Sequence, residues 1–185
     1  MGKLIQWNLI SLDGYFEGAQ SWELDWHNYA WGDELEEFSL EQLGTAALLL
    51  FGRVTYEGMA AYWKKAEGNI AGLMNKLPKA VVSNSLKQAD WNNTRVLSGD
   101  AIKAVTDLKR DVDGNIFVFG SGALSAALLG AGLFDEYRLA IVPIVLGTGT
   151  TLFGRKLPRV PMHIKEIRSF ATGAVFLRYV PRPKE

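Results

Sequence analysis

Ala47-Leu48-Leu49-Leu50-Phe51-Gly52-Arg53-Val54-Thr55-Tyr56-Glu57 is the stretch on which the fold turns. Its first five residues are an unbroken apolar run and read as a strand buried on both faces, as the central strands of a parallel sheet are. Gly52 ends the run and leads directly into a helical pattern, so unpaired amides at a helix start face outward from the sheet's end. The same arrangement recurs downstream, where Asn115 to Phe119 is followed by Gly120-Ser121-Gly122-Ala123-Leu124. One glycine at such a junction is accounted for by backbone geometry alone. Two in one small sheet point to a nucleotide or other phosphate-bearing ligand. The second junction is not a complete dinucleotide fingerprint, because Ser125 stands where the third glycine belongs.

Working outward, Leu4 to Ile10, Lys79 to Ser83 and Arg95 to Leu97 read as further strands. Helices are expected near Asp33, with Glu36 in a capping-box position, after Gly52, after Asp100, and from Ser121 to Ala131 with Gly132 as its stop. Phe134 to Leu146 reads as a late strand. His163 to Phe170 and Ala174 to Val180, joined by Ala171-Thr172-Gly173, read as a hairpin. The pattern is α/β, with a mostly parallel sheet that turns antiparallel at its C-terminal edge. No linker or repeat divides the chain, so one domain over 1–185 is expected.

Composition narrows the function. Twenty basic and 20 acidic residues balance to zero net charge, leaving no field to gather nucleic acid or an anionic membrane. There is no cysteine, so disulfides, thiolate metal sites and a cysteine nucleophile are excluded together. His27 and His163 are the only histidines and form no metal-ligand spacing, so no metal is expected. The N-terminus lacks the long apolar core of a signal peptide, and a cytoplasmic protein is expected.

The ordered set Ser11-Leu12-Asp13-Gly14, Gly52 to Glu57, Val81-Val82-Ser83, Phe119-Gly120-Ser121-Gly122, Phe134-Asp135-Glu136 and Pro143 to Gly149 resembles the dihydrofolate reductase-like superfamily. Within it, the chain is most similar to the C-terminal reductase domain of bifunctional riboflavin-biosynthesis deaminase-reductases and its stand-alone relatives. The resemblance runs from residue 3 to about residue 180. It implies a three-layer α/β/α fold with an eight-stranded sheet, NADPH across the strand ends, and hydride transfer to a small heterocyclic or ribosylamino-pyrimidine substrate. It also implies a homodimer. Any deaminase must be a separate protein, since its zinc site would need paired cysteines. A dihydrofolate reductase and a non-catalytic NADP(H)-binding protein are the alternatives.

Carried over residue by residue, the resemblance implies that Gly52, Arg53, Val54 and Thr55 hold the cofactor from one side, with Arg53 toward the 2′-phosphate. Ser83, Asn84 and Ser85 would reach the same phosphate or ribose. Gly120, Ser121, Gly122, Ala123 and Leu124 would serve the pyrophosphate and nicotinamide. Ser121 departs from the family's Gly-Gly, which puts the unusual cis peptide of that turn in question. Asp13 is the candidate for orienting substrate or relaying a proton, against a plain Asx turn. Asp33 is the nearest analogue of the carboxylate that contacts pterin, against a helix N-cap. Trp26, in the aromatic loop of Trp22, His27, Tyr29 and Trp31, is a candidate cover for a flat ring, and Gly147 and Thr148 are expected near the cofactor.

Overall fold

A computed structural model describes residues 1–154 and 157–183. Eight strands form one sheet: β1 (Lys3–Ser11), β3 (Ala46–Gly52), β4 (Lys79–Val82), β5 (Thr94–Leu97), β6 (Asn115–Phe119), β7 (Glu136–Val142), β9 (Met162–Ser169) and β10 (Val175–Pro181). Their order is β5-β4-β3-β6-β1-β7-β10-β9. Pairings from β5 through β7 are parallel, and β10 runs antiparallel to both β7 and β9. This is the mixed sheet with an antiparallel edge that the hydrophobic runs imply.

Alternation along the central strands sorts side chains to two faces. Leu49 and Phe51 of β3, with Phe117 of β6 and Ile5, Trp7 and Leu9 of β1, pack beneath α1 (Asp33–Gly44), α2 (Arg53–Trp63) and α3 (Asn69–Lys76). Leu48 and Leu50, with Ile116, Val118 and Leu4, pack beneath α4 (Ala101–Asp111) and α5 (Gly122–Gly130). The apolar runs are therefore buried on both faces, giving three layers.

Two helix starts illustrate the local logic. Asp100 caps α4, its carboxylate accepting from Lys103 N at 2.7 Å. The capping box expected at Asp33 does not form. Gly32 is the N-cap, no side chain caps α1, and Asp33 is the first helical residue, where with Glu34 and Glu36 it complements the helix dipole. At the far end of α5, Gly132 adopts φ 67° and closes the helix as its sequence implies.

Two elements too short to carry a periodic signal complete the fold. A second, two-stranded sheet pairs β2 (Tyr15–Glu17) antiparallel with β8 (Thr150–Thr151), and a 3-10 turn spans Asp25–Tyr29. The late apolar run 134–146 is a strand only over β7. Phe134 precedes it as a buried core residue, while Ile144 and Leu146 pack on the core from a loop. Among the described residues, no helix is long and apolar enough to cross a membrane.

Candidate functional site

β3 and β6 lie side by side and parallel, yet the helices that follow them leave to opposite faces: α2 to one, α5 to the other. A crevice opens at such a switch point, outside the carboxyl ends of the strands. It holds a cavity of about 490 Å³. Gly52, Arg53, Val54 and Thr55 line one part, Gly120 to Leu124 the adjoining part, and a largely aromatic chamber the remainder.

The two turns are tied to each other. Ser121 Oγ accepts from Gly52 N at 2.9 Å and donates to Phe119 O at 2.9 Å, while Ser121 N donates to Thr55 Oγ1 at 2.9 Å. Every peptide bond among the described residues is trans. Instead of a cis bond, the turn uses successive left-handed residues, Gly120 at φ 51° and Ser121 at φ 57°. The left-handed region costs a non-glycine residue roughly 1–2 kcal/mol, which the three Ser121 hydrogen bonds offset. Gly120 has a packing reason as well, since a Cβ there would stand 3.3 Å from Thr55 Cγ2.

Beneath the turn lies a polar pair in an otherwise apolar strand. Gln6 Nε2 donates to Asn8 Oδ1 at 2.5 Å, and Asn8 Oδ1 also accepts from Gly120 N at 3.2 Å. Both side chains are buried. Sequence reasoning did not single them out, although two amides inside a central strand were the available signal.

Neither α2 nor α5 has a side-chain cap. Their first-turn amides therefore start uncapped at neighbouring points of one cavity, with the positive ends of both dipoles directed there. Arg53 lines the same wall. Its guanidinium pairs with Glu57, Nη1 lying 3.1 and 2.9 Å from the two carboxylate oxygens, in a pair that is 43% and 47% exposed. Exposed pairs of this kind hold weakly, by about 0–1 kcal/mol.

Other expected site residues lie elsewhere. Asp13 is outside the cavity: its carboxylate accepts from Ser11 Oγ at 2.7 Å, Leu146 N at 3.1 Å and Gly147 N at 2.8 Å. The Ser11 hydroxyl, with those amides, holds its pKa below the ordinary aspartate value. It is a latch between the end of β1 and the 143–149 loop, which also accounts for Gly147; Thr148 follows in that loop, away from the cavity wall. Asp33 is exposed at the start of α1 and does not line the cavity. Ser83 Oγ accepts from Ser85 N and Leu86 N, and Asn84 clasps Gly99 through Oδ1 and Nδ2, so this trio organises its own loop beyond the cavity wall.

The aromatic loop divides in an unexpected way. Trp26 is 3% exposed in the core and donates its indole N–H to Glu23 O at 3.0 Å, so it does not face the cavity. Trp22, His27 and Trp31 do. Trp22 sits in a left-handed conformation, φ 67°, with its amide donating to Glu17 Oε1 at 2.6 Å. Its ring lies directly on α2 at Gly58, where any Cβ would overlap Cζ2 and Cε2. Phe16, Glu17 and Thr150 of the small sheet line the cavity too, and α1 contributes Ser39, Gln42 and Leu43 from one face. Among the described residues, no group of three His, Cys, Asp or Glu side chains is placed to hold a metal ion.

Comparison with known proteins agrees with this architecture. The candidate riboflavin biosynthesis protein from Shewanella sp. PV-4 superposes with a TM-score of 0.82, at 19% identity over 99% of this chain and 100% of that one. Dihydrofolate reductase from Enterococcus faecalis, solved with NADP(H), superposes at 0.62 with 16% identity over 98% of each chain. These likenesses establish the dihydrofolate reductase-like fold. The Bacillus subtilis (strain 168) protein YyaP is 29% identical over 175 residues, covering 92% of this chain and 90% of its own. Residues 3–176 match the model of the RibD C-terminal domain, and the chain belongs to that family.

Proposed function

We propose that this protein is an NADPH-dependent oxidoreductase that transfers hydride to a small heterocyclic substrate in the switch-point cavity. The observation that carries the reading is the pair of uncapped helix starts, α2 and α5, brought to one cavity by adjacent strands and knitted together through Ser121. Family membership and the NADP(H) complex of the Enterococcus dihydrofolate reductase support it.

The residues present suit a dinucleotide. First-turn amides of Arg53 to Thr55 and Gly122 to Leu124 would meet the pyrophosphate, since helix starts favour anions. Gly122 leaves room there, a Cβ at that position coming within 3.2 Å of Phe16 Cε1. Arg53 would exchange its exposed pairing with Glu57 for the 2′-phosphate, whose extra charge makes the exchange favourable. When bound, the nicotinamide supplies the hydride. The chain's own part would be to hold a face of the ring against the substrate, and the small sheet with Trp22 would shield the chamber from water. Asp13 has no place in this reading as a proton donor, because its oxygens are engaged outside the cavity.

Dihydrofolate is the weaker substrate reading, for no carboxylate of α1 lines the cavity. We also propose a homodimer through the C-terminal edge: β9 is an edge strand, and Ile164 and Ile167 on it are 44% and 65% exposed. Light scattering over a dilution series should give twice the chain mass, and a monomer at high concentration would refute it.

Titrating NADPH and NADH into wild type and Arg53→Ala at one ionic strength tests the cofactor reading. Loss of a charge-assisted contact of about 1.5–3 kcal/mol should weaken NADPH roughly 10- to 150-fold and leave NADH nearly unchanged. Equal losses for both nucleotides would overturn the assignment.

A further inference from the structure

The chain contains two Asp-Gly steps, Asp13-Gly14 and Asp113-Gly114, and no Asn-Gly. At an Asp-Gly step the glycine nitrogen can attack the carboxyl carbon of the aspartate before it, because no Cβ hinders the approach. Asp13 and Asp113 are both exposed, so access does not separate the two steps. Hydrogen bonding does.

At the first step both reacting groups are engaged. The Asp13 carboxylate accepts from Ser11 Oγ, Leu146 N and Gly147 N, and Gly14 N donates to Ser11 O at 2.9 Å. Those bonds also keep Asp13 in its charged form, and a carboxylate anion is a poorer electrophile than the acid. The second step lies in the short connection between α4 and β6, where Asp113 and Gly114 are both exposed. Among the described residues, neither the Asp113 carboxylate nor Gly114 N has a hydrogen-bond partner. The fold also requires glycine there: Gly114 has φ 119°, and a Cβ would stand 3.0 Å from Ala47 Cβ of β3.

We propose that Asp113-Gly114 is a modification site, at which the folded protein forms isoaspartate spontaneously, and that the fold protects Asp13-Gly14 from the same reaction. Gly114 N bonds to Asp113 Cγ, a side-chain oxygen leaves as water with the amide proton, and a five-membered succinimide closes. Water then adds to either ring carbonyl. Opening at one restores aspartate; opening at the other leaves the chain running through Cβ and Cγ, with the former main-chain carbonyl as a free carboxylate. One water leaves and one returns, so the reaction needs no partner and changes neither mass nor oxidation state. The main chain gains one methylene immediately before β6. Gly114 O accepts from Lys3 N at 3.0 Å, and Asn115 pairs with Lys3 as the first rung between β6 and β1, so the change falls where those strands begin. That is the end of the sheet opposite the switch-point cavity.

The full chain is incubated at physiological temperature, folded or in guanidinium chloride, and isoaspartate at each step is read by peptide mapping with electron-transfer fragmentation. Unfolded, the two steps should react at similar rates, since both are Asp-Gly. Folded, position 113 should accumulate at least about tenfold more isoaspartate than position 13, because at position 13 a charge-assisted hydrogen bond must open first. Asp113→Glu should abolish the product at 113, as its ring would need six members, and should leave position 13 unchanged. Ser11→Ala, which removes one of the bonds to Asp13, should raise the product at 13 and leave 113 unchanged. In aged wild type, amide exchange at Lys3 should quicken in proportion to the isoaspartate formed. Equal accumulation at the two steps of the folded chain, faster reaction at 13, or no product at 113 would overturn the proposal.

Discussion

Gly58→Ala should fail to stabilise α2, although the same change elsewhere in the molecule should succeed. Replacing glycine by alanine inside an exposed helix gains about 1 kcal/mol from propensity alone. At Gly58 the new methyl would lie 2.5 Å from Trp22 Cη2 and nearer still to Cζ2 and Cε2, whereas ordinary contact begins at 3.4 Å. The nearest indole atom, Cζ2, would lie 1.8 Å away, so the ring must retreat by about 1.6 Å or leave its seat, and overpacking costs roughly 1–3 kcal/mol. The cost exceeds the gain, for a net loss between about zero and 2 kcal/mol, or a thermal midpoint lowered by up to ~8 °C in a chain of this size. Gly72 on α3 supplies the control: it is exposed, and nothing lies within 4 Å of a Cβ built there, so Gly72→Ala should raise the midpoint by about 2–4 °C. Thermal unfolding followed by circular dichroism reads both. In a Trp22→Ala background, Gly58→Ala should become stabilising, and the double-mutant cycle isolates that coupling. A midpoint that rises equally for Gly58→Ala and Gly72→Ala in the wild-type background would mean that Trp22 is not seated on α2.

Three further outcomes follow from particular groups. His27 titrates near pH 4 when folded and near 6.5 when unfolded, so the unfolded state takes up the extra proton first; its contribution is full above pH 6.5 and falls away toward pH 4, by about 3 kcal/mol in all. Urea unfolding across that window should lose stability in wild type and be flatter in His27→Gln; parallel curves would refute the burial of a neutral imidazole. Asp13→Asn replaces one of two accepting oxygens by a donor, so amide exchange at Leu146 and Gly147 should quicken while NADPH affinity holds; unchanged exchange would dismiss the latch. Lys79 Nζ donates to the carbonyls of Met74, Asn75 and Leu77 at 2.8, 3.2 and 2.6 Å, so Lys79→Met should cost about 3 kcal/mol in chemical denaturation, and a neutral result would show those carbonyls find other partners.

The sheet was legible where residues are buried on both faces, because the unbroken apolar runs of β3 and β6 admit few other readings. The turns after them were legible through glycine. What escaped was set by tertiary placement. α3 escaped because it spans only eight residues and includes Gly72, which weakens a helical pattern. β2 and β8 have three and two residues, too few for a period of two to show. In the aromatic loop, composition marked the right segment but not the right ring: a short 3-10 turn sends Trp26 into the core and leaves Trp22 and Trp31 on the cavity. Asp13 shows the same limit. An Asp-Gly at a strand end reads equally as a ligand contact or a turn, and only the distant amides of 146 and 147 decide between them.

In the proposed function the reduced dinucleotide lies across the two turns of the switch-point cavity. Energy transfer from tryptophan to the reduced nicotinamide tests it most directly, since Trp7, Trp22 and Trp31 all line that cavity. NADPH titrated into wild type should quench tryptophan emission and raise nicotinamide emission to saturation. In Gly122→Leu, whose side chain would fill the space beside Phe16, both signals should be lost with the fold intact by circular dichroism. Saturable transfer that is identical in Gly122→Leu, or none in wild type at millimolar NADPH, would contradict the account.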